Sequence, residues 1–432
     1  MIDTADTAEV ATIEAVLAAL RADAPTTKEL GDRFERLMRA YLMTDPMYVE
    51  RFEHVWLWQR WPERGNKPDT GVDLVAAERD GGVCAVQCKF YDPGHTLEKS
   101  DIDSFFTASG KAPFTSRLII STTDRWTKHA EDALDKQQIP VTRLRVRDLA
   151  DSPIDWSAFI PSKPDAITLR ARKVLRPHQQ KALDKVIAGL EDADRGKLIM
   201  ACGTGKTFTS LRIAEQFAVR HAGERPARVL FLVPSISLLS QTLREWTAET
   251  EVAMRPFAVC SDVKVGRDSE DISRHDLAFT ATTNAATLLK QIAAISAPSH
   301  DQPGMSVIFS TYQSIAAISA AQKDGLERFD LIVCDEAHRT TGATLAGDDE
   351  SHFVRVHDAN YISAARRLYM TATPRLFDDA TKTKAGKGGA ILASMDDEDL
   401  YGPDLHRLGF GEAVEQGLLT DYKVIVLAVE EQ

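Results

Sequence analysis

A glycine loop closed by a lysine and a threonine is the strongest chemical signal in the chain. It reads Ala201-Cys202-Gly203-Thr204-Gly205-Lys206-Thr207, after the apolar run Leu198-Ile199-Met200 and before a helical pattern over 208–217. Backbone N–H groups in such a loop turn inward around a phosphate at a helix N-terminus. Gly203 and Gly205 allow the tight path on either side of Thr204. Lys206 is placed to neutralise β and γ phosphates, and Thr207 to ligate magnesium. Well over a hundred residues later, Asp335-Glu336-Ala337-His338 closes the apolar run Leu331-Ile332-Val333-Cys334. Parallel sheets gather ligand groups at such strand ends. Asp335 is expected to hold Mg2+, and Glu336 to orient and deprotonate an attacking water. In this order the two signatures predict a site that binds ATP with magnesium and hydrolyses it.

A second constellation lies near the N-terminus. Gly71-Val72-Asp73 and Gln87-Cys88-Lys89 flank the turn signal Asp80-Gly81-Gly82. Strand side chains alternate, so Gln87 and Lys89 share a face while Cys88 points away. A tight hairpin brings Asp73 beside that face. A carboxylate, a second oxygen ligand and a lysine at one sheet edge suit divalent-metal hydrolysis of a phosphodiester, with Mg2+ or Mn2+ as the ion. Lys89 would orient or activate water and stabilise developing charge. Glu35, from the preceding helical segment, adds a carboxylate. Cys84 and Cys88 share a face but lack a second pair at zinc spacing, which makes them core thiols. Trp56, Trp58 and Trp61 read as hydrophobic core ahead of base-stacking surface.

Composition sets the bounds. A chain of 432 residues is long enough for two or three cores. No apolar run approaches bilayer length, so no membrane partner is expected. The acidic N-terminus has no signal pattern, and five scattered cysteines suit reduced thiols in a cytoplasmic protein. The net charge of −12 argues against a chain that coats nucleic acid nonspecifically. It leaves room for a local basic groove, for which Arg170, Arg172, Lys173 and Arg176 are candidates.

The elements that must position these residues read as two α/β units. Residues 1–24 form a helix or mobile arm. A first unit, 25–150, opens with the capping box Thr26-Thr27-Lys28-Glu29. It continues through strands over 71–77 and 83–90, a helix over 100–109, a strand over 118–121, a helix over 127–137 and a strand over 140–145. A proline-marked linker covers 151–165. A second unit, 166–420, carries short apolar strands at 197–201, 229–234, 257–260, 307–310, 331–334 and 367–370, alternating with helices in the rhythm of a parallel sheet. Residues 378–399 read as a mobile loop.

Three further segments fit the ATP site. Gln179, in Leu175-Arg176-Pro177-His178-Gln179, has the paired donor and acceptor that an adenine edge needs. Thr371 and Thr373, in Tyr369-Met370-Thr371-Ala372-Thr373-Pro374, offer hydroxyls that would couple phosphate release to motion. Ser235 and Thr311 end strands with hydroxyls suited to a DNA backbone. These segments resemble, in order, the Q motif and motifs I, Ia, Ib, II and III of superfamily 2 helicases and translocases of the DEAH-box kind. The resemblance implies a RecA-like lobe in which His338 links the ATP site to motif III, with Ser235 and Thr311 near the nucleic-acid track. It also implies a second lobe carrying an arginine finger; 421–432 looks like the entry to it. The N-terminal constellation resembles the PD-(D/E)xK nuclease fold in its Mrr-like form. The expected fold is therefore α/β, a small mixed-sheet endonuclease-like domain followed by a parallel-sheet RecA-like domain. Their order, with Arg339-Thr340-Thr341-Gly342 and Phe410-Gly411-Glu412-Ala413, resembles single-chain Type ISP restriction–modification enzymes. That resemblance implies double-stranded DNA as partner, plus a downstream second helicase lobe, a methyltransferase and a target-recognition domain. A stand-alone helicase–nuclease and a catalytically inactive DNA-binding remnant are the alternatives.

Overall fold

The computed structural model describes residues 12–66, 71–135, 137–261, 273–294, 302–345, 352–378 and 390–421. The N-terminal part of the expected arm (1–11), the middle of the expected loop (379–389) and the expected second-lobe entry beyond residue 421 lie outside the described residues.

The chain opens with α1 (Ile13–Asp23) and α2 (Thr27–Thr44). Thr26 caps α2, its hydroxyl accepting from Glu29 N at 3.2 Å, a cap worth about 1 kcal/mol. Ile13, Val16, Leu17 and Leu20 are buried, so this segment is a packed helix rather than an arm. After α3 (Pro46–Arg51) come β1 (Phe52–Leu57), β2 (Leu74–Glu78), β3 (Val83–Lys89), α4 (Ser100–Ala108), β4 (Ser116–Ser121), α5 (Lys128–Asp132), β5 (Val141–Leu144) and α6 (Val146–Ala150). The sheet order is β1-β2-β3-β4-β5, antiparallel across β1, β2 and β3 and parallel onward. Helix α5 is shorter than the expected 127–137.

The second half runs α7 (Pro177–Asp192), β6 (Arg195–Met200), α8 (Lys206–Arg220), β7 (Ala227–Val233), α9 (Ile236–Glu249), β8 (Ala253–Val259), α10 (Ala285–Ala294), β9 (Gly304–Thr311), α11 (Ile315–Lys323), β10 (Phe329–Cys334), β11 (Gly342–Leu345), β12 (Ala364–Thr371), β13 (Ala390–Ala393) and β14 (Asp404–Leu408). Seven parallel strands order as β14-β6-β12-β10-β7-β9-β8. One edge strand, β14, escaped the sequence reading, and another, β8, starts earlier than the expected 257–260. β8 begins before Pro256, and an edge position tolerates the missing N–H. β14, at the other edge, sets Leu405 and Leu408 among Asp404, His406 and Arg407, so it carries no apolar run. β13 falls inside the stretch expected to be a mobile loop, and it pairs antiparallel with β11.

The two halves share buried surface. One hydrophobic cluster runs from Leu37, Tyr41 and Leu149 through to Leu239, Leu243 and Trp246. The stretch expected as a linker contributes to it: Ile154 and Trp156 are buried, and Ile154 bridges Leu169. Its prolines therefore shape a packed strap rather than a free tether. Polar contacts reinforce the junction. Arg143 Nε meets Asp276 Oδ1 at 2.5 Å, and Arg145 reaches Asp276 Oδ2 at 3.2 Å. His275 Nδ1 lies 2.8 Å from the Val141 carbonyl, and Arg51 donates to Ala278 O at 2.6 Å. Arg244 of α9 holds Asp148 at 2.5 Å. Among the described residues no helix is long and apolar enough to cross a membrane.

Candidate functional sites

The glycine loop connects β6 to α8, as its sequence requires. Gly203 and Gly205 adopt φ of 81° and 85°, left-handed values that a side chain resists. A methyl group at Gly205 would sit 2.2 Å from Gln179 Nε2. Gln179 itself lies against the loop: its amide donates to the Thr204 carbonyl at 3.2 Å, and its oxygen accepts from Arg176 N at 2.9 Å. The expected adenine reader is thus engaged in bracing the loop and capping α7, because its short reach at N3 favours the backbone beside it. His178 joins it, with Nε2 3.0 Å from the same carbonyl. Thr204 closes the loop by donating to Ala201 O at 2.7 Å.

Lys206 Nζ lies 3.2 Å from Met200 O and close enough to Asp335 to draw its pKa down. Burial and the Glu336 charge outweigh that pull, and the Asp335 carboxyl is pushed up to about 6. Asp335 Oδ1 accepts from Glu336 N at 2.9 Å. Glu336 takes φ of 47°, the sole positive φ outside glycine among the described residues, a strained conformation that aims its carboxylate across the strand end. His338 Nδ1 lies 3.3 Å from Glu336 Oε2 and 3.1 Å from Thr371 Oγ1. Thr371 Oγ1 in turn accepts from Thr373 N at 3.2 Å. Glu336, His338, Thr371 and Thr373 therefore form one continuous polar chain between two strand ends. Thr207 begins α8 beside Lys206, and its carbonyl accepts from Trp246 Nε1 of α9 at 3.1 Å.

Thr311 ends β9 and Ser235 follows β7 by two residues, but their hydroxyls are committed locally. Ser235 caps α9 by accepting from Leu238 N at 3.3 Å. Thr311 is buried and donates to Ser314 at 3.1 Å. The neighbours of Thr311 were missed: Tyr312 OH donates to the Asp335 carbonyl at 2.8 Å, and Gln313 donates to Pro234 O at 3.2 Å. The expected basic groove is of mixed charge, since Lys173 pairs with Glu245 at 2.9 Å in a cleft that also holds Asp148 and Glu249.

In the first half the hairpin register pairs Leu74 with Val86, which carries Asp73 opposite Gln87. Asp73 Oδ2 accepts from Cys88 N at 2.6 Å. Gln87 Nε2 donates to Gly71 O at 3.2 Å, which turns Oε1 the other way; that oxygen is buried without a hydrogen-bond partner. A buried, orphaned amide oxygen beside a carboxylate is a fitting ligand for a hard divalent cation. Burial drives the Cys88 thiol well up, and the Asp73 and Glu35 charges add to that while Lys89 opposes it. Asp73 and Gln87 therefore lie opposite each other at one strand end, and the charges of Glu35 and Lys89 are felt at Cys88, next in the chain to Gln87. Among the described residues no three His, Cys, Asp or Glu side chains are arranged as a metal cluster. Cys84 is buried with its thiol pushed up to about 12, and Trp58 and Trp61 are buried against each other, all as core.

Comparison with known proteins finds a separate match for each half of the chain. A family model described as "Restriction endonuclease" matches residues 43–166, and one described as "Type III restriction enzyme, res subunit" matches residues 172–376. The chain joins a restriction-endonuclease domain to a helicase-type ATPase domain. The DNA-bound structure of LlaBIII, an ATP-dependent Type ISP restriction-modification enzyme, is 40% identical and superposes with a TM-score of 0.80 over 94% of this chain and 26% of that one. The Type I restriction enzyme EcoAI endonuclease subunit of Escherichia coli is 24% identical over 59% of this chain and 24% of its own length. A probable helicase of African swine fever virus is 26% identical over the same shares. The chain thus spans about a quarter of the length of these relatives.

Both domains call for cofactors of a general kind: ATP for the helicase-type domain, and a divalent metal for each. In the nuclease domain the sequence carried the donors but not the orphaned state of Gln87 Oε1, which depends on where Gly71 turns. In the ATPase domain it carried the loop and the carboxylates. Only the fold reveals His178 as a brace of the glycine loop and Tyr312 as a brace of the Asp335 strand end.

Proposed function

We propose that the chain is the nuclease and motor portion of an ATP-dependent restriction endonuclease of the Type ISP kind. It would cleave DNA phosphodiesters and use ATP to move on double-stranded DNA. In the ATPase domain Gly203, Thr204 and Gly205 cradle phosphate, Lys206 neutralises β and γ oxygens, and Thr207 with Asp335 holds Mg2+. Glu336 accepts the proton of the attacking water, and His338 relays the change at the γ position to Thr371 and Thr373. Gln179 would report nucleotide occupancy by exchanging its loop contact for the adenine edge. Ser235 and Thr311 border the DNA track. In the nuclease domain Asp73, Gln87 and Glu35 hold Mg2+ or Mn2+, while Lys89 orients water and offsets charge growing on the phosphate. The metal supplies Lewis-acid polarisation of the phosphodiester and of bound water.

The observation that carries this reading is the single polar chain from Glu336 through His338 to Thr371, built on the same molecule as the convergent Asp73–Gln87 pair. A decayed remnant has no reason to keep both. The partners implied are double-stranded DNA, a second helicase lobe, a methyltransferase and a target-recognition domain, which suits a chain matching a quarter of its relatives' length.

The test is nicking of supercoiled plasmid with Mg2+ or Mn2+, with and without ATP, in the chain and in the enzyme extended by those domains. Asp73→Ala should abolish nicking while leaving ATP binding intact. Lys206→Ala should abolish ATP turnover and leave the metal site intact. Full nicking by Asp73→Ala would overturn the nuclease assignment.

A further inference from the structure

A second cluster lies at the same sheet end as Asp73. β1 runs antiparallel to β2, so the end of β1 meets the start of β2: Leu57 pairs with Leu74, and Trp58 N donates to Asp73 O at 2.8 Å. α2 passes this end, with Arg36 next after Glu35 and Arg39 one turn along the same face. Arg36, Arg39, Trp56, Leu57, Arg60 and Asp165 line a cavity of about 290 Å³.

Its charge is lopsided. Three guanidinium groups face one carboxylate, in a chain whose net charge is −12. Arg39 spends its Nε on Val55 O at 3.1 Å, which pins the stem and leaves its terminal nitrogens for another acceptor. Arg60 is exposed and has no hydrogen-bond or ion-pair partner among the described residues. Arg36 pairs with Asp165 at 2.6 Å, but the two side chains are 44% and 42% exposed. An exposed pair contributes about 1 kcal/mol at most and is readily exchanged for a stronger anion. Trp56 and Leu57 are half-buried and line the cavity from opposite faces of β1, Leu57 packing on the core beneath α2 and Trp56 on the cluster across the sheet.

Resting on the nuclease reading, we propose that this cluster is a phosphate-binding site that grips the DNA backbone beside the phosphodiester presented to Asp73. Guanidinium forks match phosphate oxygens two at a time, which fixes strand direction as well as affinity. One of the two apolar side chains at the end of β1, Trp56 or Leu57, would face the deoxyribose. The cluster fixes which strand enters the metal site and how far it slides.

Binding is measured apart from cleavage, in full-chain Asp73→Ala protein, by fluorescence anisotropy of a labelled duplex across a salt series. Arg60→Ala and Arg36→Ala should each lower the slope of log affinity against log salt by about 1. Arg60→Lys should restore the slope. With Asp73 present, Arg60→Ala should raise KM for duplex cleavage several-fold with little change in kcat. Unchanged slopes for both alanine variants would overturn the proposal. So would stabilisation by millimolar inorganic phosphate or ATP that Arg60→Ala removes without altering the DNA slope, since that marks a small-anion site. Persistent nicking by Asp73→Ala would instead overturn the nuclease reading, and the slopes would still report on the cluster.

Discussion

Asp335 is held in its charged form at a cost. Its pKa stands at about 6 against an ordinary 3.8. The raised value means the folded state favours the protonated form, so this contribution is fully present below pH ~4 and is lost as pH rises through about 6. Asp335→Asn should therefore stabilise the nucleotide-free protein at pH 7.5 by on the order of 1–3 kcal/mol and raise its Tm accordingly. The gain should fade by pH 4, as thermal unfolding across that range would report, and ATP turnover should be lost throughout. Gln87 makes the complementary case. Gln87→Glu would set a carboxylate against the Gly71 carbonyl that the amide now holds. The metal-free variant should melt below the parent, and Mn2+ should recover more Tm in the variant than in the parent. Equal metal shifts would count against Gln87 as a ligand.

At the scale of elements, the glycine loop depends on α7 as much as on itself. Gly205 and Gly81 have similar left-handed φ values, 85° and 89°, but a methyl at Gly81 meets open space whereas one at Gly205 meets Gln179. Both alanine variants should carry the backbone strain of about 1 kcal/mol. Gly205→Ala should lose more, and Gln179→Ala should recover part of that excess, a coupling that a double-mutant cycle by chemical denaturation would measure. This is where legibility in the sequence divides. The glycine loop, Asp335, Glu336 and the Asp73 hairpin were readable because each motif is contiguous or joined by one turn. The loop's bracing by His178, the bond from Tyr312 to the Asp335 carbonyl and the edge strand Asp404–Leu408 were not. The first two join segments more than twenty residues apart and the third pairs with β6 some two hundred residues earlier, and local spacing carries no record of which elements become neighbours.

For the whole molecule, the junction between halves turns on Asp276, whose side chain is nearly inaccessible between Arg143 and Arg145. Asp276→Ala would leave two buried guanidinium groups without their shared partner, at a cost of about 3–5 kcal/mol. Hydrogen exchange should rise first along β5 and over 273–279, with the glycine loop unaffected. The continuous cluster has a further consequence for anyone who would trade parts between such proteins. Composition puts the scissors at the proline-rich stretch near residue 160, yet Tyr41 stacks on Trp156 there and Asp148 is held by Arg244 from across the divide. A nuclease cassette excised at that point would carry away half of a shared wall. A chimera that exchanges α9 and the 273–279 segment along with the cassette keeps both sides of the seam from one parent.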